Sequence, residues 1–229
     1  MPPCNTPDLK LIGDVAILDT PYRKNQGLLF IVSAPSGAGK TTLCKELSGA
    51  EGLRLSHSVS HTTRKPRPDE REGDPYYFVT EEQFLMLRDA GGFVEWARVH
   101  GNYYGTSKAE LDRLFSDGHN VILDIDTQGA RKIKDSSTPG TFIFILPPSM
   151  EELERRLRGR NSNDEADIRI RLERAVEEIR EYGMYDHVIV NQNLYTALGE
   201  LNAIVLAQTT RLSNLDPGWV SDNFFNEVK

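Results

Sequence analysis

The run Ser33-Ala34-Pro35-Ser36-Gly37-Ala38-Gly39-Lys40-Thr41-Thr42 follows an apolar stretch, Leu28-Leu29-Phe30-Ile31-Val32, and leads into residues of helical period. A buried strand entering a Gly-rich turn and then a helix aims backbone N–H groups and the positive helix end at one spot, which makes a cradle for phosphate. Gly37 and Gly39 can take backbone angles closed to other residues and leave room for phosphate oxygens. Lys40 would bring a point charge to the β and γ phosphates of a nucleoside triphosphate, and Thr41 a hydroxyl to Mg2+. The candidate residues for binding the triphosphate are thus Ala34, Pro35, Ser36, Gly37, Ala38, Gly39, Lys40, Thr41 and Thr42. The general pattern carries Gly where this chain has Ala34, but the strand before and the helix after are both present. A chance Gly-rich turn is the plain alternative.

Such a loop names a phosphate donor but no acceptor. In Ser60-His61-Thr62-Thr63-Arg64-Lys65-Pro66-Arg67, two arginines stand three apart beside a proline that favours extended backbone. Guanidinium forks match phosphate bidentately, so Arg64 and Arg67 could clamp a second phosphate; a solvated basic cluster is the competing reading. Asp124 ends the apolar run Val121-Ile122-Leu123, as does an Asp that organises Mg2+ in many phosphate-loop enzymes. Asp126 is two residues on, and on a regular strand the two would share a face. The five histidines have no metal-ligand spacing, and surface or packing roles are expected for them.

These residues need elements to hold them. Apolar runs at 28–32, 121–123, 141–146 and 187–190 read as strands buried on both faces, and helical periods fall at 41–47, 108–115, 150–158, 167–181 and 194–212. Alternation of that kind implies an α/β fold with a mostly parallel sheet covered by helices on both sides. Residues 55–106 break the alternation with short strand-like pieces around 56–60, 76–79 and 93–96, and form a candidate small lobe. Residues 151–182 form a candidate lid, in which 151–181 hold ten acidic and eight arginine side chains. The core is then 27–54, 107–150 and 183–213. The end segments 1–26 and 214–229 have no readable role, the first being either unstructured or docked as a strand.

Composition narrows the class. The chain has 229 residues and a net charge of −7, which argues against non-specific adhesion to nucleic acid or to an anionic membrane. No apolar run is long enough to span a bilayer, and no secretory signal is evident. Two cysteines, Cys4 and Cys44, make neither a disulfide framework nor a metal site, so a reducing cytoplasm is expected.

Three further stretches, Phe93-Val94-Glu95-Trp96, Gly101-Asn102-Tyr103-Tyr104-Gly105-Thr106 and Asp124-Ile125-Asp126-Thr127-Gln128-Gly129, complete an ordered set. With it the chain closely resembles the guanylate kinase family, of the bacterial type, from about Gly27 to Leu212. The resemblance implies a P-loop NTPase fold with a β-rich acceptor lobe and a helical lid. It also implies ATP-dependent phosphorylation of GMP, and of dGMP, to GDP with Mg2+. Carried over residue by residue, Ser60, Glu95, Thr106 and Asp126, with Gly105 beside them, would surround the guanine. Arg64, Arg67, Tyr76 and Tyr104 would surround its phosphate. Arg160 and Arg171 would close from the lid with Lys40 and Arg64 as catalytic cations, and Asn191 would lie near the adenine. Arg155, Arg156, Arg158 and Arg174 are expected on solvated helix faces.

The chemistry agrees with that set. Guanine presents N1–H and a 2-amino group side by side, and a carboxylate such as Glu95 accepts from both, whereas adenine would leave it buried and unpaired. Partners are expected to be the two nucleotides, with no nucleic acid and no membrane. A non-catalytic binding module of the same fold, or a P-loop kinase for another phosphorylated acceptor, would be the alternatives. Intact Lys40 and Thr41 speak against the first, and Glu95 with Tyr76 and Tyr104 against the second.

Overall fold

The computed structural model describes residues 22–24, 27–49, 53–67, 70–99, 101–159 and 165–225. Arg160, and all but Tyr22, Arg23 and Lys24 of the 1–26 segment, lie outside the described residues.

The core is a five-stranded parallel sheet ordered β10-β9-β1-β8-β2. Its strands are β1 (Leu29–Ser33), β2 (Leu55–His57), β8 (Asn120–Asp124), β9 (Thr141–Leu146) and β10 (His187–Val190). Central β1 is buried at all five residues, as its unbroken apolar run requires. One face carries Phe30, Val32, Ile122, Ile143 and Ile145 against α1 (Lys40–Ser48) and α7 (Leu194–Thr209). The other carries Ile31, Val121, Leu123 and Phe142 against α3 (Lys108–Ser116) and α4 (Thr127–Asp135). Burying each such side chain contributes about 1.5–3 kcal/mol. The α/β reading and its central strands therefore hold. The helix expected to run to Leu212 stops at Thr209, where the chain turns toward its end.

The second sheet is mixed, in the order β4-β5-β3-β7-β6. It comprises β3 (Ser60–Thr62), β4 (Arg71–Glu72), β5 (Pro75–Phe78), β6 (Phe93–Val99) and β7 (Asn102–Ser107), packed on α2 (Glu81–Asp89). Phe84 of α2 is fully buried, stacked on Phe93 at 4.4 Å and on Tyr103 at 5.3 Å. The lobe boundary at residue 55 needs correcting. β2 pairs in register with β8, so residues 55–57 belong to the parallel sheet, and the lobe sheet begins at Ser60. The apparent strand over 56–60 is two strands separated by Ser58 and Val59, and its apolar content is too short to show which sheet takes which half.

In the lid, α5 (Met150–Arg158) packs on α6 (Glu165–Arg180) through Leu153, Leu157, Ala175 and Leu172. At the rear, the two ends of the described chain meet. Arg23 bridges antiparallel to Leu215, Lys24 N–H donates to Asn214 O, and Asp216 N–H donates to Tyr22 O. The Tyr22 ring lies 5.5 Å from that of Trp219 in α8 (Pro217–Val220).

Candidate active site

The Gly-rich loop leaves the end of β1 and enters α1 as expected. Gly37 and Gly39 have φ of +96° and +94°, a region that side-chain-bearing residues rarely adopt. A Cβ on Gly39 would stand 2.4 Å from Asn191 Nδ2, so this glycine is required twice over. Ala34 is buried and its φ is not positive, which explains why the usual glycine is dispensable there. The loop is closed by Ala38 N–H donating to Pro35 O. Ser36 is exposed at its apex, and Thr42 lies exposed on α1.

Lys40 points back under the loop. Its Nζ lies 2.7 Å from Asp124 Oδ1 and donates to Ile125 O at 2.6 Å. Burial alone would pull this ammonium down, but Asp124 more than compensates and leaves it raised. Burial likewise pushes Asp124 up, and the Lys40 charge and hydrogen bond, with help from the Thr41 hydroxyl, hold it below its ordinary value. The pair is therefore ionised at neutral pH. His57 of β2, also lowered by burial, approaches Asp124 to 4.0 Å while its Nε2 has no hydrogen-bond partner among the described residues. Asp126 does not share the strand face of Asp124. β8 ends at Asp124, and Asp126 is the N-cap of α4, accepting from Gly129 N–H at 2.8 Å.

Facing the loop, the lobe presents Ser60 on β3, Tyr76 on β5, Glu95 on β6 and Tyr104 on β7. Together with Ser36, Gly37, Gly39, Lys40, Thr41, Asp124 and Asp126 they line one cavity of about 320 Å3. Alternation along β6 sends Glu95, Ala97 and Val99 to this side, and a register irregularity between Phe93 and Glu95 seats the carboxylate opposite Thr106. Glu95 is 5% exposed. Its Oε1 accepts from Thr106 Oγ1 at 2.8 Å and Thr106 N at 3.1 Å. Burial drives its carboxyl up to about 7, with Asp126 adding to the rise and the Thr106 hydrogen bonds opposing it.

Thr106 and Gly105 are buried behind this wall rather than lining it. Thr106 spends its hydroxyl on Glu95, and Ser60 Oγ lies 3.5 Å from that hydroxyl. A Cβ on Gly105 would meet Phe93 at 2.9 Å. Arg64 stacks over Tyr76 at 5.5 Å and donates to Glu70 Oε1 at 2.9 Å. Arg67 is exposed, and its backbone N–H donates to Glu70 Oε2. Of the two tyrosines in sequence, Tyr103 packs on Phe84 whereas Tyr104 faces the cavity and meets Tyr76 at 5.7 Å.

Two placements depart from expectation. Asn191 is buried against the loop, Nδ2 donating to Ala38 O at 2.8 Å, so its side chain braces loop backbone. Arg156, expected on a solvated face, donates Nη2 to Asn191 O at 2.9 Å and Nη1 to Ala38 O at 3.4 Å, while Nε pairs with Glu152. The helical period on α5 places Arg156 beside Leu153 and Leu157, but nothing in it marks one arginine among three as turned toward the loop. Arg171 lines a neighbouring cavity of about 610 Å3, which shares Ser36, Val99, Asp126 and Glu178 with the first. Glu178, absent from the sequence-based set, therefore faces both.

Comparison with known proteins agrees with this geometry. The guanylate kinase family model matches residues 26–208. Guanylate kinase of Geobacter metallireducens is 50% identical over 82% of this chain and 92% of its own length, and that of Geobacter sulfurreducens is 48% identical over 84% and 94%. The crystal structure of guanylate kinase from Anaplasma phagocytophilum superposes with a TM-score of 0.71 at 32% identity, covering 90% of this chain and all of the other. On a match that spans the Gly-rich loop, the second sheet and the α5–α6 pair alike, the chain belongs to the guanylate kinase family.

Proposed function

We propose that the ATP-dependent phosphorylation of GMP to GDP by this enzyme runs as a direct in-line transfer across the cavity between the phosphate loop and Glu95. The observation that carries this reading is that one cavity is lined by Lys40, Thr41, Ser60, Tyr76, Glu95, Tyr104 and Asp126 from separate elements.

The acceptor phosphate has a second pKa near 6, so its attacking oxygen is an anion at neutral pH and needs no general base. The barrier is repulsion between two phosphate groups, which fixed cations offset where charge spreads over the transferring group. Lys40 would exchange Asp124 and Ile125 O for donor phosphate. Arg64, whose guanidinium lies over the Tyr76 ring, would meet the acceptor phosphate, and Arg171 would be carried in as α6 moves. Arg67 and Arg160 are proposed for the acceptor phosphate and the lid on the family pattern alone. Asn191 acts through the loop it braces.

Mg2+ fits the residues present. A hard cation of this size takes one or two protein oxygens and leaves its remaining positions to phosphate and water. Thr41 and the ionised Asp124 supply a hydroxyl and a carboxylate beside the loop. Thr41 and Asp124 would hold the ion there, and it would supply positive charge against the donor phosphates. Among the described residues no cluster of three His, Cys, Asp or Glu side chains could hold a metal without substrate. Cys44 is a free thiol buried under the loop, which supports a reducing, cytoplasmic setting. No helix of the described residues is long and apolar enough to cross a membrane.

A coupled ADP-release assay with GMP, AMP, UMP and no acceptor tests the assignment. Turnover should appear with GMP; equal rates with AMP would overturn the role given to Glu95.

A further inference from the structure

Nothing in the backbone asks for glycine at position 129. The residue is buried in the first turn of α4, its φ is not positive, and its N–H donates to the N-cap carboxylate, Asp126 Oδ1, at 2.8 Å. Alanine would be the more stable residue inside a helix. What alanine would lack there is room. A Cβ on Gly129 would stand 2.6 Å from Glu95 Oε2, well inside contact distance, and 3.2 Å from Glu95 Cδ. The Glu95 carboxyl is thus laid directly on the backbone of α4. Its Oε1 accepts from Thr106 Oγ1 and Thr106 N–H within the second sheet, while Oε2 abuts the helix. One turn along α4, Lys132 Nζ lies 4.2 Å from the centre of the Trp96 ring and donates to Trp96 O. The helix is therefore fastened to β6 at the residue next to Glu95, which fixes the walls of the gap.

We propose that Gly129 is a positioning residue for acceptor recognition: by carrying no side chain it leaves the gap at the start of α4 into which the Glu95 carboxyl fits, and so fixes where the acid that reads the base stands. The proposal rests on the guanine-reading role given to Glu95 above. One carboxylate meets two adjacent N–H donors only when both its oxygens are correctly placed, and a small sideways shift lengthens one bond and bends the other. The carboxyl has little freedom to absorb such a shift, because Thr106 holds it from one side and the α4 backbone from the other. A methyl group on residue 129 would push against the far end of a side chain, not against backbone, so its cost falls on recognition and not on folding. Gly129 belongs to the layer that covers the parallel sheet and Glu95 to the second sheet. The base-reading group is therefore aimed by contact between the two, not by its own strand alone.

The test is Gly129→Ala, with Glu95→Asp and the double variant completing a cycle, in steady-state turnover with GMP and IMP and in thermal unfolding of the full chain. Gly129→Ala should lower kcat/KM for GMP by about tenfold, narrow the preference for GMP over IMP and leave the KM for ATP unchanged, with a thermal transition equal to or above that of the parent. A glycine that served packing alone would lower the transition and spare the base preference. Glu95→Asp draws the carboxyl back by one methylene and makes room for the methyl group, so the two losses in kcat/KM should combine to less than their product. Parental kcat/KM and a parental GMP/IMP ratio in folded Gly129→Ala would overturn the proposal, as would losses that simply multiply. Should Gly129→Ala unfold at a lower temperature, Glu95→Asp must restore the transition, and a deficit that persists in the double variant overturns the proposal as well. Comparable rates of the parent with GMP and AMP would overturn the guanine-reading role of Glu95 instead.

Discussion

Burial, with Asp126 nearby, raises the Glu95 carboxyl to about 7 against the opposing hydrogen bonds from Thr106. In the proposed role guanine N–H donors would favour the ionised carboxylate, so GMP binding should lower this pKa and expel a proton. Free Glu95 is partly protonated below about 7, and ionising it there opposes binding. GMP affinity is therefore expected to rise as pH increases through about 7 and then to level off. Calorimetry at pH 6.5 in buffers of different ionisation enthalpy should show proton release on GMP binding. Glu95→Gln should remove the Glu95 share, leaving whatever the ligand phosphate contributes. The same variant should lower kcat/KM for GMP by about a hundredfold and narrow the preference for GMP over IMP, because an amide cannot accept from both donors with the same strength. If GMP and IMP kept their parental ratio, Glu95 would not be reading the 2-amino group.

The loop is a strand-to-helix connection whose shape is imposed from outside. Asn191 after β10 and Arg156 on α5 both bond Ala38 O, and Asn191 also fills the space that a side chain on Gly39 would need. Asn191→Ala is expected to weaken ATP binding by about tenfold, the worth of one buried hydrogen bond. GMP affinity should stay at its parental value in the same calorimeter, since the acceptor lobe is a separate sheet. Loss of both affinities would mean that the variant had disturbed more than the loop. Lys40→Ala should reduce kcat by several orders of magnitude. It also strands Asp124 in a buried site, at a cost of about 3–5 kcal/mol, so retained GMP binding is the control that the variant is folded.

Across the whole molecule, both ends of the described chain are fastened to each other beyond the span of the family match. Arg23 Nη1 donates to Thr209 Oγ1, Lys24 Nζ to Ser213 O, and Tyr22 packs on Trp219. These contacts lie at the rear of the sheet, remote from the cavity that holds Lys40 and Glu95. Trp219→Ala should therefore lower the thermal transition by about 2–4 °C per kcal/mol lost while leaving kcat unaltered. A fall in kcat without a fall in transition temperature would show that the clasp serves the site rather than the scaffold.

The turn between β1 and α1 and the central strands were legible in the sequence, because each depends on local order: an apolar run, or a glycine forced to positive φ. Long-range pairing decided the rest. Register with β8 drew residues 55–57 out of the lobe and into the parallel sheet, and the end of β8 at Asp124 turned Asp126 into a helix cap. Packing of α5 against the loop chose Arg156 over Arg155 and Arg158, its neighbours on the same short helix. Glu178 carries no local mark at all, being one of ten acids in its stretch of chain. Only the packing of α6 on α5 brought that carboxylate to the cavity lined by Lys40 and Glu95.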